Sequence, residues 1–240
     1  MSIPLKTTIN YSPNFSVKKR SKKRIKFLVY HYTGMKSEKA AIKRLTNIQS
    51  EVACHYFVKN NGEIITLVPD KYIAWHAGVS EWKKYKFLNQ NSIGIEISNP
   101  GHQFGYKKFS LRQINSLIKL SKFLIKKYKI NKKNILGHSD IAPLRKKDPG
   151  ENFPWEYLAK KNIGYWHQLK KNELIKLRNK KCNKISNNKF FSNLFKIGYS
   201  KNYKKKNEKL LIKAFQRRFR PHLINGIIDQ ECLILSKNLI

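Results

Sequence analysis

The stretch Gly137-His138-Ser139-Asp140-Ile141-Ala142-Pro143-Leu144-Arg145-Lys146-Lys147-Asp148-Pro149-Gly150 gathers residue types that do metal chemistry. A histidine follows the short apolar run Ile135-Leu136 and a glycine, and an aspartate downstream is set in an Asp-Pro-Gly turn. Imidazole and carboxylate suit a borderline-soft divalent ion, and a catalytic zinc takes three protein ligands and keeps one position for water. His31, near the end of the strand-like run over residues 25–34, can supply the third ligand. Standing alone, the loop would read better as a polar turn with one hydrogen-bonded histidine. One ion held by His31, His138 and Asp148 would bring the pKa of a water towards neutrality. Amide hydrolysis then needs a base that takes the water proton and returns one to the leaving amine, and a group that stabilises the oxyanion. Glu96 is the candidate base, a lone carboxylate on an otherwise apolar strand; an edge-strand glutamate in water is the alternative. Lys146 is the candidate oxyanion group, since an extended segment would aim it to the same side as Asp148. In so lysine-rich a chain, composition alone does not set it apart.

These residues need elements to position them. Residues 1–23 read as a polar, basic arm ending in Lys18-Lys19-Arg20-Ser21-Lys22-Lys23. A first strand then alternates, with Ile25, Phe27, Val29 and His31 on one face. Ser37 caps a helix through Ala40, Ala41, Ile42, Leu45 and Ile48. Residues 52–58 and 64–68 are two strands joined at Asn60-Asn61-Gly62, a strong hairpin signal. The strand Ser92-Ile93-Gly94-Ile95-Glu96-Ile97 puts its isoleucines on one face and Gly94 and Glu96 on the other. Ser110 caps a long helix from Leu111 to about Lys127, with Leu111, Ile114, Leu117, Ile118, Phe123 and Leu124 as its buried stripe. Alternating strands and helices predict an α/β domain with a central mixed sheet flanked by helices, over residues 24–169. Residues 170–188 are mostly Lys and Asn and read as a basic linker, helical or flexible. Residues 189–240 carry three short helical patterns, the second stopped by Pro221 and the third starting near Asp229, and form a small helical unit.

The 240 residues carry a formal charge of +37 with 40% hydrophobic content, enough for a packed core and a strong pull towards anionic partners. A lysine- and asparagine-heavy coding bias would look the same. Cys54, Cys182 and Cys232 match no CxxC spacing and form no disulfide framework, which suits a reducing compartment. No apolar stretch before the first strand could serve as a signal-peptide core, and none elsewhere could span a bilayer. The expectation is a cytoplasmic chain without a transmembrane segment.

His31-Tyr32-Thr33, Trp75-His76-Ala77-Gly78, Asn91-Ser92-Ile93-Gly94-Ile95-Glu96 and the whole of residues 137–150 resemble, in the family's order, the zinc-dependent N-acetylmuramoyl-L-alanine amidases. This is the amidase-2 family, related to phage lysozyme-amidases and peptidoglycan recognition proteins, and the likeness spans roughly residues 24–166. It implies cleavage of the amide between the lactyl group of N-acetylmuramic acid and the first L-alanine of the stem peptide, in peptidoglycan or soluble muropeptides. It also implies one Zn2+ on His31, His138 and Asp148, with Glu96 and Lys146 in the catalytic positions. His76, beside Trp75 in a family motif, is expected to touch substrate together with that tryptophan. The tail, through Ala214-Phe215-Gln216-Arg217-Arg218-Phe219-Arg220-Pro221 and Asn225-Gly226-Ile227-Ile228-Asp229, resembles a three-helix peptidoglycan-binding domain, a pairing similar to AmpD/AmiD-like members. Tailed relatives are often exported lipoproteins, so the cell envelope is the alternative location.

Two other classes compete. A binding module with this fold but no catalysis would have no need of Glu96, Lys146 and all three ligands together. A charge-driven nucleic-acid binder finds support in the basic arm and linker, but no helix-turn-helix, RNA-binding or zinc-finger pattern accompanies them. His55 reads as a satisfied structural histidine, while His102, His167 and His222 stand without a constellation.

Overall fold

A computed structural model describes residues 6–240. In chain order, strands β1 (Thr8–Ile9), β2 (Phe15–Ser16) and β3 (Phe27–Tyr32) lead into helix α1 (Glu38–Thr46). Strands β4 (Tyr56–Val58), β5 (Ile64–Thr66), β6 (Ile73–Ala74), β7 (Glu81–Trp82), β8 (Tyr85–Lys86) and β9 (Ser92–Ile97) precede the long helix α2 (Leu111–Tyr128). Strand β10 (Ile135–Gly137) runs directly into α3 (His138–Ile141), followed by α4 (Trp155–Lys160). The last part is helical: α5 (Lys171–Leu177), α6 (Lys184–Ile197), α7 (Glu208–Phe219) and α8 (Gln230–Asn238).

The main sheet has the order β1-β5-β4-β9-β3-β10 and is mixed, as expected. β3 lies between β9 and β10, parallel to both, so all three strands end on one side of the sheet. β4 and β5 form the expected antiparallel hairpin, and Gly62 in its turn has φ +86°, a conformation open to glycine. α1 starts at Ser37, whose hydroxyl accepts from the Ala40 N–H. α2 opens on a full capping box of Ser110 and Gln113. Its buried stripe is Ile114, Leu117, Leu120 and Leu124. Leu111 and Phe123, expected in that stripe, are 81% and 42% exposed, Leu111 because it opens the first turn and Phe123 because it lies on the flank.

Alternation along β3 divides the core in two. Leu28 and Tyr30 face a layer made with Ile93, Ile95, Ile97, Leu117, Leu120 and Leu124 of α2, Trp155 and Leu158. Phe27 and Val29, with Leu136, face the helical tail: Phe190, Leu194, Leu211, Phe215 and Leu235 belong to one continuous cluster with them. Ile25 joins the first layer instead of sharing the face of Phe27, since it precedes the strand and ends a short 3-10 turn. The boundaries expected around residues 170–188 fall within this shared core. Part of that basic segment is helix α5, whose Leu174 is buried in the same cluster.

Of the expected basic arm, residues 1–5 lie outside the described residues. Beyond them the segment is woven into the body, with β1 on the edge strand β5 and β2 on β6. Arg20 is buried, donating to the carbonyls of Asp70 (3.1 Å), Asn89 (2.9 Å) and Ser92 (2.7 Å). The three cysteines are free, and among the described residues no helix is long and apolar enough to cross a membrane.

Candidate metal centre

The carboxyl ends of β3, β9 and β10 converge, the usual place for a ligand site on parallel strands. His31 is the penultimate residue of β3, Glu96 is its register partner on β9, and His138 follows β10 as the first residue of α3. Parallel register puts the His31 and Glu96 side chains on the same face. The Asp148 segment folds back along α3, with Ser139 N–H donating to the Asp148 carbonyl at 2.8 Å. Gly137 is required there, since a Cβ would come within 2.6 Å of the Pro149 ring.

His31 Nδ1, His138 Nδ1 and Asp148 Oδ2 make a triangle with every edge 3.0 Å. The residues are 1%, 3% and 7% exposed. What lies behind the two rings identifies the triangle. His138 Nε2 is 3.1 Å from the Ala77 carbonyl, an acceptor, so that nitrogen carries the proton and Nδ1 presents a lone pair. The Ser92 hydroxyl donates to the Leu88 carbonyl at 2.6 Å and therefore accepts from His76 Nε2 at 3.0 Å. His76 Nδ1 must then accept from His31 Nε2, also at 3.0 Å, which leaves the His31 Nδ1 as a lone pair as well. Burial, and then the charge of His138, push His31 down to about 4 against the pull of Asp148, so the ring is neutral. Two lone pairs and a carboxylate oxygen thus face one another without a proton between them. Such a donor set is balanced by a cation, and its 3.0 Å edges suit the roughly 3.3 Å ligand separation of a tetrahedral ion with bonds of about 2.0–2.1 Å. The residues fit a zinc-sized divalent metal.

The other expected site residues are placed unevenly. Glu96 keeps a partial opening to solvent, yet its Oε2 is buried with no hydrogen-bond partner among the described residues. Burial, and then the charge of Asp148, push this carboxyl up to about 8, with Lys146 pulling the other way. Lys146 is half-buried, and its charge falls on both Glu96 and His31. His76 is buried behind His31 with both ring nitrogens engaged, so the substrate contact expected of it is not offered by that ring. Gly94 makes room for it, as a Cβ there would come within 2.4 Å of the His76 ring. Trp75 lies against β2, its indole N–H directed at Ser16 Oγ (3.4 Å). His55, as expected, is structural: its Nδ1 accepts from the Gly94 N–H at 3.0 Å and Arg20 abuts its Nε2.

Three contributors were missed. Asn89 Oδ1 accepts from the N–H groups of His76 (3.1 Å) and Ala77 (2.6 Å), which holds the loop that carries both. Arg145 clamps the same loop through the carbonyls of Ala77 and Val79, yet nothing distinguishes it in sequence from its basic neighbours. His102, without a constellation in the sequence, stacks on Tyr106 and joins Tyr32 Oη (2.8 Å) to Glu151 (3.0 Å), three residues past Asp148.

The buried histidines have a measurable consequence. His31 is held at about 4, His55 at about 3 and His76 well below its ordinary 6.5, each chiefly by burial. All three are neutral when folded and take up protons on unfolding once the pH is below about 6.5, so metal-free protein should lose stability as pH falls from there towards 4. Glu96, raised to about 8, acts with the opposite sign between 4.5 and 8, one proton against three. The melting temperature in chelator should therefore rise with pH from 4.5 to 6.5. A flat profile would mean that these rings are not buried neutral.

A family model described as N-acetylmuramoyl-L-alanine amidase (Amidase_2) matches residues 21–151. The chain belongs to this family and is an enzyme, a hydrolase of the amide between N-acetylmuramic acid and L-alanine. Among its relatives, N-acetylmuramoyl-L-alanine amidase AmiD of Escherichia coli is 36% identical over 231 residues, covering 90% of this chain and 83% of AmiD. The 1,6-anhydro-N-acetylmuramyl-L-alanine amidase AmpD of Haemophilus influenzae is 41% identical over 113 residues, 46% of this chain and 59% of AmpD. The structure of E. coli AmiD with the substrate anhydro-N-acetylmuramic acid-L-Ala-D-γ-Glu-L-Lys superposes with a TM-score of 0.79, covering 90% of this chain and 88% of that one at 36% identity. AmpDh3 of Pseudomonas aeruginosa gives 0.78 at 29% identity, over 100% of this chain and 97% of its own.

Proposed function

We propose that His31, His138 and Asp148 hold one zinc ion, that Glu96 is the general base and acid, and that Lys146 stabilises the oxyanion. The observation that carries this reading is the 3.0 Å triangle of His31 Nδ1, His138 Nδ1 and Asp148 Oδ2, whose two histidines have committed their other nitrogens elsewhere. When bound, zinc supplies Lewis-acid polarisation of the lactyl carbonyl and a water of lowered pKa. Glu96 takes a proton from the water as its oxygen adds to the carbonyl carbon. It then returns the proton to the alanine nitrogen as the C–N bond breaks. Burial raises the Glu96 carboxyl to about 8 in metal-free protein, and a nearby cation would draw it down towards neutrality, where a carboxylate can both take and return a proton. The ammonium of Lys146, whose charge already falls on Glu96, offers positive charge to the developing oxyanion.

The substrate is proposed to be a peptidoglycan-derived muropeptide. Relatives with bound anhydromuramoyl peptides support this, one of them AmpDh3 with an anhydromuramic pentapeptide at TM-score 0.78. Residues 24–169 make up the amidase part, and helices α6 to α8, within residues 189–240 and just before them, add a wall-contacting part whose second attachment would raise effective concentration at insoluble wall. Mass spectrometry of products from soluble anhydromuropeptides and from purified sacculi, with chelator and with zinc restored, tests the reading. Release of free stem peptide that stops in chelator and returns with zinc is expected. Full turnover in metal-free protein would sink the metal assignment, and the faster of the two substrates tells recycling from wall turnover.

A further inference from the structure

The α3 turn that carries His138 is gripped from the helical tail. Asp140, two residues past His138 and 1% exposed, accepts from the Gly137 N–H at 2.7 Å through Oδ2 and from the Tyr199 hydroxyl at 3.0 Å through Oδ1. Its Oδ2 also forms a buried ion pair with Arg218. The same guanidinium donates through its other terminal nitrogen to the Ile135 carbonyl at 2.9 Å and lies over the Trp155 ring, 4.1 Å from its centroid. Arg218 therefore holds the chain on both sides of His138, at Ile135 on β10 and at Asp140 in α3. Through the Ser139 N–H bond to the Asp148 carbonyl, the same turn holds the segment of a second ligand. Tyr199 is itself fixed, packed edge-on against Trp82 with ring centroids 5.0 Å apart. A planar fork that bridges two fixed acceptors sets geometry as well as charge, which a lysine could not reproduce.

We propose that Arg218, with Tyr199, is a positioning residue of the metal centre. It acts through Asp140 to set where His138 and Asp148 present their ligand atoms, so the tail completes the catalytic centre besides any contact with wall. The proposal rests on the ligand assignment above. Partners of this kind, one step behind a metal ligand, typically change affinity by about 10–100-fold when removed. Their loss should be read in the metal itself and not only in turnover.

Because Arg218→Met alone would leave Asp140 buried and unpaired, the decisive variant is D140N/R218M, in which the amide oxygen can still accept from Gly137 N–H and no lone charge remains. Y199F, which removes one hydrogen bond, is the milder companion. Full-length proteins are titrated with zinc against a chromophoric chelator, and the visible spectra of their cobalt-loaded forms are recorded. Melting temperatures of the metal-free forms report folding separately. The expected result is a zinc dissociation constant raised about 10–100-fold in D140N/R218M, with a shifted cobalt spectrum and a smaller rise in Y199F. Zinc affinity within about threefold of wild type in the folded double variant overturns the proposal, and if that variant does not fold, Y199F decides by the same limit. His138→Ala is the control. If it keeps wild-type affinity, the ligand assignment falls and the positioning role with it; if it loses zinc while the other variants do not, only the positioning role falls.

Discussion

His138→Ala should yield a folded protein that loses most of its zinc during gel filtration and with it almost all hydrolysis. On the proposed ligand assignment the imidazole supplies one of three ligand atoms in a triangle of 3.0 Å edges, and the remaining pair, His31 Nδ1 and Asp148 Oδ2, cannot enclose an ion. The buried His76 cannot replace it, because it already spends both ring nitrogens on His31 and Ser92. Metal polarisation is worth several kcal/mol of barrier, so the loss in turnover should be on the order of 10³-fold or more. The fold should survive, since the strand and turn around the position are held by β3 and by Asp140 rather than by the imidazole. Metal content and release of stem peptide, measured on one preparation, check this. A variant that kept zinc and ran within about tenfold of wild type, far short of that expected loss, would remove His138 from the centre.

Glu96→Gln should separate chemistry from structure. Gln is nearly isosteric but cannot accept the water proton, so turnover should fall by about 10²–10⁴-fold while zinc content is unchanged. Stability should move the other way. Burial, and then Asp148, raise the Glu96 carboxyl to about 8, so in metal-free protein its charged form is disfavoured on folding. The group's contribution is fully present below about 4.5, the usual value, and is lost as pH rises through about 8. A neutral amide is spared that loss. Metal-free E96Q should therefore melt at or above wild type, with the difference growing towards pH 8. Turnover within about threefold of wild type would make Glu96 a bystander, and a lower melting temperature at pH 8 would mean that its charged form is stabilised by partners.

What could be read in the residues was local or motif-borne. Ser37 and Ser110 announce their helices because a cap needs only a side-chain oxygen and an N–H three residues on. The alternation of Ile93, Ile95 and Ile97 against Gly94 and Glu96 follows from the two-residue period of a strand, and it singles out Glu96 without any tertiary information. The Asn60-Asn61-Gly62 turn and the three tail helices, with Gly198 and Pro221 as stops, are short-range in the same way. That His31, His138 and Asp148 come together was legible because the loop chemistry of residues 137–150 and the resemblance of their motifs to the amidase-2 family point to the same three residues.

The tertiary structure decided which groups share a space, and the separations involved explain why. The proton order that frees two Nδ1 atoms runs from the Leu88 carbonyl through Ser92 and His76 to His31, and no spacing rule encodes it. His76 faces inward because Gly94 on β9 leaves a space for its ring, a fact about two strands and not about the Trp75-His76 motif. By sequence the tail is a small helical unit of its own, because its apolar residues suffice for three small helices and a lysine-rich stretch precedes them. Yet Phe27, Val29 and Leu136 are covered by those helices. Re-exposing such side chains costs about 1.5–3 kcal/mol each, together comparable with the roughly 5–15 kcal/mol that keeps a domain folded. Arg218 and Asp140 are 78 residues apart in the chain, and each alone is one more charge on a short helix. A buried ion pair depends on the desolvation that surrounds it, and that environment exists only once the tail has packed against the sheet.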